Sequence, residues 1–510
     1  MLIEALIAAT LVSAFAVFLA PNRVAGKLAF ALSLLPLGGS LWMYSTYEAS
    51  GNALLSGSTL AFEESFQWVA AGDYALNWHV GLDGISMPLV VLTTVLTSLA
   101  LLASWTPIDE RQSQFYGLML FLEASLLGVF SALDFFLWFV FWEMVLVPMY
   151  VLIGVWGGPR RKYAAIKMFV YTNVASLVMF LGFVALVFAL GDVNTFDLPT
   201  VAQALRAGEL GSLGPVGPDT LKVTAFAAMF LGFAVKVPVV PFHTWLPDAH
   251  VEAPTPVSIM LAGVLLKMGT YALLRFNFTM LPGVAADYAT LIAVFAVVSV
   301  IYGAMLALAQ SDLKRIVAYS SVSSMGYVIL GLVAYSLYGL GGATFQMIAH
   351  GLISGLMFMA VGVIYNTTHT RMVSDMSGLA SKMPFTVTVF VAGAFGYMGL
   401  PLMAGFAAEL FIFIGAFEST VLSSAPLFTA AAMFGIVIVA GYLLFAMQRT
   451  LFGPFEVETD YDVGPAAFHD VAPLVVLVLL VVLLGVDPNI FYEMIQNAVD
   501  PLVESTGGGA

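Results

Sequence analysis

Residues 234–267 of this 510-residue chain read AVKVPVVPFHTWLPDAHVEAPTPVSIMLAGVLLK, which places two lysines, Lys236 and Lys267, inside hydrophobic sequence. Lys267 lies near the middle of the apolar run 257–276, about ten residues or roughly 15 Å of helix from either end. A lysine side chain covers only roughly 6 Å, so its ammonium group cannot reach the lipid headgroups. Insertion scales put the cost of such a lysine at roughly 2.5 to 3.5 kcal/mol unless a partner charge or water offsets it. The stretch therefore predicts an ion pathway within a membrane.

Composition supports the same class of fold. Hydrophobic residues make up 61% of the chain and charged residues 9%, which excludes an ordinary soluble protein. Apolar runs long enough to cross a hydrocarbon core of ~30 Å recur along the whole length. We predict an all-α polytopic membrane protein with fourteen transmembrane helices, over residues 2–20, 28–47, 83–105, 115–132, 134–156, 166–190, 223–245, 256–278, 286–309, 316–336, 340–365, 385–417, 427–451 and 471–486. The longest polar connections, 48–82 and 191–222, are rich in Gly and Ser and are predicted to be outer loops.

Two absences in the composition restrict the chemistry. The chain has no cysteine, so it cannot form disulfides, hold iron–sulfur clusters through thiolates or use a thiol nucleophile. No basic tail accompanies the net charge of −14, and we expect lipid as the surroundings and no nucleic-acid partner. An acidic surface would fit a salt-adapted host, although a solvated acidic face is the simpler interpretation.

Basic residues predict the orientation of the chain. By the positive-inside rule, the side with most of them is cytoplasmic, and both termini are then extracytoplasmic. The opposite side carries only Arg206, Lys222 and Arg275. The residues on the predicted cytoplasmic side are Arg23, Lys27, Arg111, Arg160, Arg161, Lys162, Lys167, Lys314, Arg315, Arg371, Lys382 and Arg449.

Two predicted helices are interrupted. Pro238 and Pro241 lie inside the seventh span, where each removes a backbone donor. The twelfth run, 385–417, contains Gly396, Gly399, Pro401 and Gly405. Breaks at membrane depth are tolerated where the backbone lines a cavity or is covered by protein, and paired breaks are typical of inverted-repeat transporters.

Further ionisable side chains lie inside the predicted spans, and together with the two lysines they predict a proton relay. A nearby carboxylate stabilises an ammonium group, so moving the carboxylate changes whether the lysine keeps its proton. Serines of the tenth span, among them Ser324, could hold connecting water. The ionisable residues are Glu123, Glu143, His350 and Glu409.

Alternatives exist for several of these residues. Glu143 could serve only as a structural ion-pair partner, Lys236 could cap the proline break, and His350 could be a core histidine. His243 and His250, placed in a loop after the seventh span, could bind a metal with Asp248, although a simple loop role is the stronger interpretation. Asp134, between the fourth and fifth spans, is predicted to cap a helix.

Three long motifs are similar to one family. They are FWEMVLVPMYVLIGVWGGPRR at 141–161, AVKVPVVPFHTWLPDAHVEAPT at 234–255 and DLKRIVAYSSVSSMG at 312–326. The chain closely resembles the M-type antiporter-like membrane subunit of respiratory complex I over almost its whole length. The resemblance implies two inverted five-helix repeats with discontinuous helices 7 and 12. The implied divisions are 1–114 (helices 1–3 and an outer loop), 115–278 (first repeat), 286–452 (second repeat) and 453–510 (helix 14 and a tail).

The resemblance also implies roles for residues. Glu143 would pair with Lys236, Lys267 would be the central relay, Glu409 would lie near the extracytoplasmic exit, and His350 matches the family's Gln-Met-Ile-Ala-His-Gly motif. Many members have a histidine where this chain has Ser324, so we expect the link from Lys267 to Glu409 to use water, Ser324 and His350. We group Glu123, His243 and Ser324 as secondary site residues.

The function implied is proton translocation driven by electron transfer to quinone in other subunits of a complex I type oxidoreductase. FMN, iron–sulfur clusters and quinone are expected in those subunits and none in this chain, and other antiporter-like subunits are expected partners in the plasma membrane of a prokaryote. The electron donor stays open. A subunit of a multisubunit sodium/proton antiporter is the alternative, and a purely structural spacer leaves the central lysines unexplained.

Overall fold

The computed structural model describes residues 1–457, 463 and 466–504, and within them thirteen helices are long and apolar enough to cross a membrane. Two shorter apolar helices occupy the predicted twelfth span, so the helices are compatible with the predicted fourteen. The predicted all-α polytopic class is confirmed. The helices are α1 (Leu2–Leu19), α2 (Asn22–Ser45), α3 (Ser86–Ala103), α4 (Gln112–Ser131), α5 (Phe135–Trp156), α6 (Arg161–Ala189), α7a (Pro218–Lys236), α7b (Trp245–Glu252), α8 (Thr255–Thr279), α9 (Ala289–Leu308), α10 (Leu313–Val333), α11 (Leu337–Thr368), α12a (Pro384–Tyr397), α12b (Ala404–Phe417), α13 (Ala425–Leu451) and α14 (Phe468–Val486).

Burial separates central helices from peripheral ones. The most apolar windows of α8 and α11 are 100% buried, whereas those of α1, α2 and α14 are 33% buried. A helix with apolar residues all round can be covered on every side by its neighbours, and α8 and α11 are such helices. Lys267 and His350 lie on these two helices, so the fold itself removes both side chains from lipid and bulk water.

Both predicted interruptions are present. The seventh span ends as α7a at Lys236 and resumes as α7b at Trp245, because Pro238 and Pro241 cannot donate backbone hydrogen bonds. The exposed backbone groups find side-chain partners: Trp245 Nε1 donates to the Val235 carbonyl at 2.9 Å, and Val240 N donates to Ser299 Oγ at 3.1 Å. Between α12a and α12b the chain runs through residues 398–403 without helix.

The prediction that 48–82 and 191–222 are loops is wrong in part. Strands β1 (Ala61–Ala71) and β2 (Tyr74–Leu82) form an antiparallel hairpin, with Phe66 opposite Trp78. The two-residue connection begins at Gly72, whose φ of +65° is a conformation that glycine adopts without a side-chain clash. The second segment contains the helix Leu198–Ala207, whose first turn is capped by the Asp197 side chain.

The segment after α14 contains more helix than the predicted tail. An additional helix, Asn489–Glu504, follows α14. Its buried residues Phe491, Ile495, Val499 and Leu502 recur at helical spacing on one face. The Ala498 carbonyl accepts a hydrogen bond from Asn52 Nδ2 at 3.1 Å, which ties this helix to the segment before the hairpin. A second antiparallel pair is formed by two short strands, β3 (Met376–Ser377) and β4 (Glu456–Val457).

A buried ion pair anchors α8 to the segment that precedes α3. Arg275 Nη2 lies 2.5 Å from Asp83 Oδ1, and the two side chains are 2% and 0% exposed. Asp83 also accepts from the backbone N–H groups of Ala53, Ile85 and Ser86, while Arg275 Nη1 donates to Asn52 Oδ1 at 3.1 Å. Because both charges have several partners, the pair can remain ionised in a dry environment.

Candidate functional site

Lys236 is the last residue of α7a, and its ammonium group is enclosed. The residue is 1% exposed, and Nζ has no hydrogen-bond partner in the described part of the chain. Nζ lies 5.1 Å from the centroid of the Trp142 ring, a cation–π distance. The indole is held by its own hydrogen bond from Nε1 to Ser176 Oγ, at 2.9 Å. The proline break therefore presents a lysine to an aromatic wall from α5.

Glu143 lies one residue after that tryptophan but does not touch the lysine. Its Oε2 accepts a hydrogen bond from Asn173 Nδ2 of α6 at 3.1 Å, and the residue is half-buried. Among the described residues, no Glu143–Lys236 contact lies within the 4.0 Å limit of an ion pair. In the described structure the Glu143 carboxylate is held by Asn173, and the pairing with Lys236 that the resemblance implies stays a prediction.

Lys267 occupies the centre of the site and is fully buried. Its Nζ donates to the carbonyl of Ala262 at 2.5 Å and lies 2.7 Å from Nδ1 of His350 on α11. The surrounding helix is not regular: Leu261–Leu265 and Leu273–Thr279 are π-helical turns on either side of the segment that contains the lysine. Such turns leave the α-helical hydrogen-bond ladder, so a carbonyl there can accept from a side chain.

His350 connects the lysine to a further hydroxyl. Its other ring nitrogen, Nε2, lies 3.5 Å from the hydroxyl oxygen of Tyr397, the last residue of α12a. That hydroxyl lies 3.5 Å from Ser321 Oγ on α10. Tyr397 was absent from the sequence-based site residues, because an aromatic residue in an apolar run is ordinarily a packing residue. Its position just before the break was the available signal.

Glu409 lies beyond the break, on α12b, and is 4% exposed. Its Oε2 has no hydrogen-bond partner among the described residues and faces Gly399, where an added Cβ would lie 2.4 Å from that oxygen. Ser324, on α10, is also buried. Among the described residues, the hydrogen bonds of His350 reach Lys267 and Tyr397 and not Glu409.

The secondary residues lie apart from this group. Glu123, on α4, is fully buried, and neither carboxylate oxygen has a hydrogen-bond partner in the part of the chain that the structure describes. His243 lies in the break after α7a, with its ring edge-on to Tyr302 at 5.8 Å. Within residues 1–457, 463 and 466–504, no group of three or more His, Cys, Asp or Glu residues could hold a metal ion.

The placement of His250 in a loop is wrong. It lies on α7b, fully buried, with its ring stacked on Phe358 at a centroid distance of 4.3 Å. Neither ring nitrogen has a hydrogen-bond partner within the described residues.

Charged side chains close one end of the helices. Asp248 Oδ2 accepts from Lys167 at 2.8 Å, and Asp248 Oδ1 lies 3.3 Å from Arg315 Nη2. Asp312 caps the start of α10 and pairs with Arg371 Nε at 2.7 Å. Lys314 Nζ donates to the Ala253 carbonyl at 2.6 Å. These are the residues that the basic-residue pattern placed together on the predicted cytoplasmic side.

The arrangement is a row of proton-exchanging groups within a dry helical core. Lysine, histidine, tyrosine and glutamate each accept and release a proton, and they follow one another across α7a, α8, α11, α12a and α12b. Among the described residues, no hydrogen bond links Lys236 to Lys267. Broken helices around buried ionisable residues define the antiporter-like class of membrane subunits.

Comparison with known protein families supports this class. Residues 132–438 match the family model described as "NADH:quinone oxidoreductase/Mrp antiporter, TM", and residues 27–129 match "NADH-ubiquinone oxidoreductase chain 4, amino terminus". The chain belongs to this family, as a chain 4 or M-type antiporter-like subunit, and the resemblance stated from the motifs is confirmed.

Two relatives cover nearly the whole chain. NAD(P)H-quinone oxidoreductase chain 4 3 of Trichormus variabilis is 39% identical over 511 aligned residues, covering 98% of this chain and 90% of the relative. F(420)H(2) dehydrogenase subunit M of Methanosarcina mazei is 38% identical, covering 96% and 95%. Their names specify different electron donors for similar membrane subunits.

Solved structures share the fold. A chain of respiratory complex I from Thermus thermophilus with bound NADH superposes with a TM-score of 0.85 at 26% identity, covering 100% of both chains. A chain of the Mrp complex from Dietzia sp. superposes with a TM-score of 0.83 at 20% identity, covering 99% of both, and shows the fold alone.

Proposed function

We propose that this chain is the proton-translocating M-type membrane subunit of a complex I type quinone oxidoreductase, and that Glu143, Lys236, Lys267, His350 and Glu409 carry the proton. The observation that supports this most directly is the 2.7 Å approach of Lys267 Nζ to His350 Nδ1 within a core that is closed to lipid. A basic side chain at membrane depth is costly and needs a functional or electrostatic reason. Proton exchange with an adjacent imidazole supplies one.

Moving protons against the membrane potential needs an external source of free energy. Moving one charge across 100 mV costs about 2.3 kcal/mol. The chain has no cysteine for thiolate-bound clusters, and we assign FMN, iron–sulfur clusters and quinone to other subunits of the complex, as the family resemblance implies. Electron transfer there changes the position or charge of groups near Glu143. Because the interaction between two charges depends on their separation, a small displacement of the carboxylate changes the proton affinity of Lys236.

Each of the two proposed repeats contains one interrupted helix. Residues 115–278 form the first repeat, with the α7a–α7b break, and residues 286–452 form the second, with the α12a–α12b break. Each break lies beside one ionisable residue, Lys236 or Glu409. Helices 1–3 precede the repeats, and α14 and the C-terminal helix follow them.

The surroundings of the chain follow from its charges. The network of Asp248, Asp312 and their basic partners faces the cytoplasm of a prokaryotic cell, and both termini lie on the opposite side of the plasma membrane. Other antiporter-like subunits flank the chain. A sodium/proton antiporter subunit is the second candidate, since the family description includes Mrp antiporters; the match of residues 27–129 to chain 4 favours the oxidoreductase.

The test is Lys267→Met in the intact complex. We expect assembly on a native gel, with quinone-reductase turnover and redox-driven proton pumping both reduced at least tenfold, because the central relay step is removed. Lys162→Met, at an exposed lysine at the start of α6, is the matched control and is expected to leave both activities unchanged. If an assembled Lys267→Met complex pumps like the wild type, this function is wrong for the site.

A further inference from the structure

Between Lys267 and the break in the twelfth helix, one tyrosine hydroxyl joins two helices. The Tyr397 oxygen lies 3.5 Å from Nε2 of His350 on α11 and 3.5 Å from Oγ of Ser321 on α10. The phenol and imidazole rings meet at 74°, with centroids 5.7 Å apart, so the tyrosine approaches the histidine from the side and not by stacking. All three residues are buried.

Donor and acceptor roles along these atoms are mutually consistent. When Lys267 donates to Nδ1 of His350, the ring carries its proton on Nε2 and donates toward the Tyr397 oxygen. The tyrosine O–H then faces Ser321 Oγ, and the Ser321 hydroxyl donates to the Val317 carbonyl at 3.2 Å. Every group in the series can donate in one direction at the same time.

We propose that Tyr397 is a relay residue that passes protons from His350 to the serine face of α10. This inference rests on the proposed function, since it needs protons to leave Lys267. A proton from the Lys267 ammonium binds Nδ1 while Nε2 releases its proton to the Tyr397 oxygen. The phenol releases its original hydroxyl proton to Ser321 Oγ, whose own hydroxyl turns away from the Val317 carbonyl and releases its proton to water. Tyrosine and serine each end with one proton and no net charge.

A second hydroxyl pair lies next to Ser321. Ser320 Oγ and the Tyr442 hydroxyl lie 2.6 Å apart, and Ser320 precedes Ser321 on α10. Tyr442 lies on α13, so neighbouring serines of α10 meet one tyrosine hydroxyl from α13 and one from α12a. Four buried hydroxyl groups therefore lie beside one another on this side of α10.

The two bonds of Tyr397 are the longest in the series. At 3.5 Å both lie at the outer limit of hydrogen bonding, so transfer requires the phenol or the imidazole to approach by a few tenths of an ångström. Tyr397 ends α12a, and the next glycine, Gly399, contacts Glu409. A shift of the break therefore moves the phenol oxygen and the carboxylate together.

The experiment is Tyr397→Phe in the intact complex, with pumping and turnover measured in sealed vesicles. The substitution removes one oxygen atom and keeps the ring, and we expect a roughly tenfold or greater loss of pumping. Tyr335→Phe is the matched control, because the hydroxyl of that buried tyrosine donates to the Phe278 carbonyl at 2.8 Å, outside this series. Equal effects of the two variants, or wild-type pumping by Tyr397→Phe, would overturn the proposal.

Rescue separates a relay role from a packing role. Ser324 lies three and four residues beyond Ser321 and Ser320, on the same face of α10. In the Tyr397→Phe background, Ser324→His supplies a new proton-exchanging group there, and we expect it to restore at least half of the pumping. A lack of rescue in an assembled complex would assign the tyrosine to packing.

The remaining variants keep each outcome interpretable. If Tyr397→Phe does not assemble, Ser321→Ala removes the acceptor and leaves the phenol, and a loss of about threefold or more is expected; no loss would contradict the route. Failure of the relay inference is distinct from failure of the function. Loss of pumping in Lys267→Met with normal pumping in Tyr397→Phe would leave the function in place and remove the tyrosine from it.

Discussion

Lys267 Nζ and His350 Nδ1 lie 2.7 Å apart, although 83 residues separate them in the chain. The contact joins α8, which carries π-helical turns, to α11, which crosses the centre of the protein as a single helix of 32 residues. An ammonium group that donates to an unprotonated imidazole nitrogen can transfer its proton without a bridging water. The pair therefore forms the one direct link between two of the five proposed relay residues in the described chain.

Ser324→His is expected to be tolerated. Ser324 is buried on the serine face of α10, where the family resemblance places a histidine in many members, so the imidazole has polar neighbours there. We expect assembly and pumping within about twofold of wild type. Ser320→His is the comparison: the Ser320 hydroxyl is bonded to Tyr442 at 2.6 Å, and the larger ring should disrupt that contact and pumping. An assembled Ser324→His complex that does not pump would count against the site placement.

Gly399→Ala should disturb Glu409 directly. The new Cβ would lie 2.4 Å from Glu409 Oε2, and the φ of +62° is unfavourable for alanine by roughly 1–2 kcal/mol. Gly214→Ala carries the same backbone strain at φ +59° but meets nothing within 4 Å. We expect both variants to lose thermal stability and only Gly399→Ala to lose pumping. Equal pumping in the two would show that the Glu409 position is not sensitive to the break.

Arg275→Met should destabilise the C-terminal end of α8. It leaves the Asp83 carboxylate buried without its ionic partner, which typically costs about 3–5 kcal/mol. Arg206→Met is the control, because Arg206 makes a single hydrogen bond to the Thr279 carbonyl at 2.8 Å and no ion pair within the described residues. Thermal inactivation of the purified complex is the measurement. A midpoint for Arg275→Met as high as that for Arg206→Met would contradict the anchoring role.

The hairpin of β1 and β2 should respond to alkaline pH. Burial lowers the pKa of His79, but the hydrogen bonds and charges of Asp197 and Glu63 outweigh it, so the pKa is raised above its ordinary 6.5. Burial alone would raise the pKa of Asp197. The hydrogen bond and charge of His79 outweigh burial, so the pKa of Asp197 is lowered below its ordinary 3.8.

The sign of the response follows from these directions. The His79 contribution to stability is full below pH 6.5 and is lost as pH rises through the raised pKa, whereas the Asp197 contribution is lost only in strong acid. Thermal stability should therefore fall as pH rises from 6.5 into the alkaline range. His79→Asn should remove that component of the profile. A variant whose pH profile overlays that of the wild type would exclude the pair as its source.

Local signals were sufficient for much of the fold. The apolar spans, the breaks after Lys236 and Gly396, and the Asp134 cap, which accepts from the backbone N–H groups of Phe136 and Leu137, were all predictable from short windows of sequence. The hairpin carried a local signal as well, since Gly72 and Asp73 separate two aromatic-rich strands, but its polar composition read as loop. Apolar residues recur at helical spacing within Asn489–Glu504, and the prediction of a tail there did not take this pattern into account.

The sequence by itself determined which side chains are ionisable at membrane depth, because hydrophobic length and the cost of burying charge are properties of about twenty consecutive residues. Only the tertiary structure decided which of them meet. It bonds Lys267 to His350, holds Glu143 on Asn173 away from Lys236, encloses His250 on a helix and brings the Tyr397 hydroxyl beside the histidine. Those contacts depend on helix rotation, π-helical turns and broken segments, and a change of one residue in helical phase turns a side chain by about 100°.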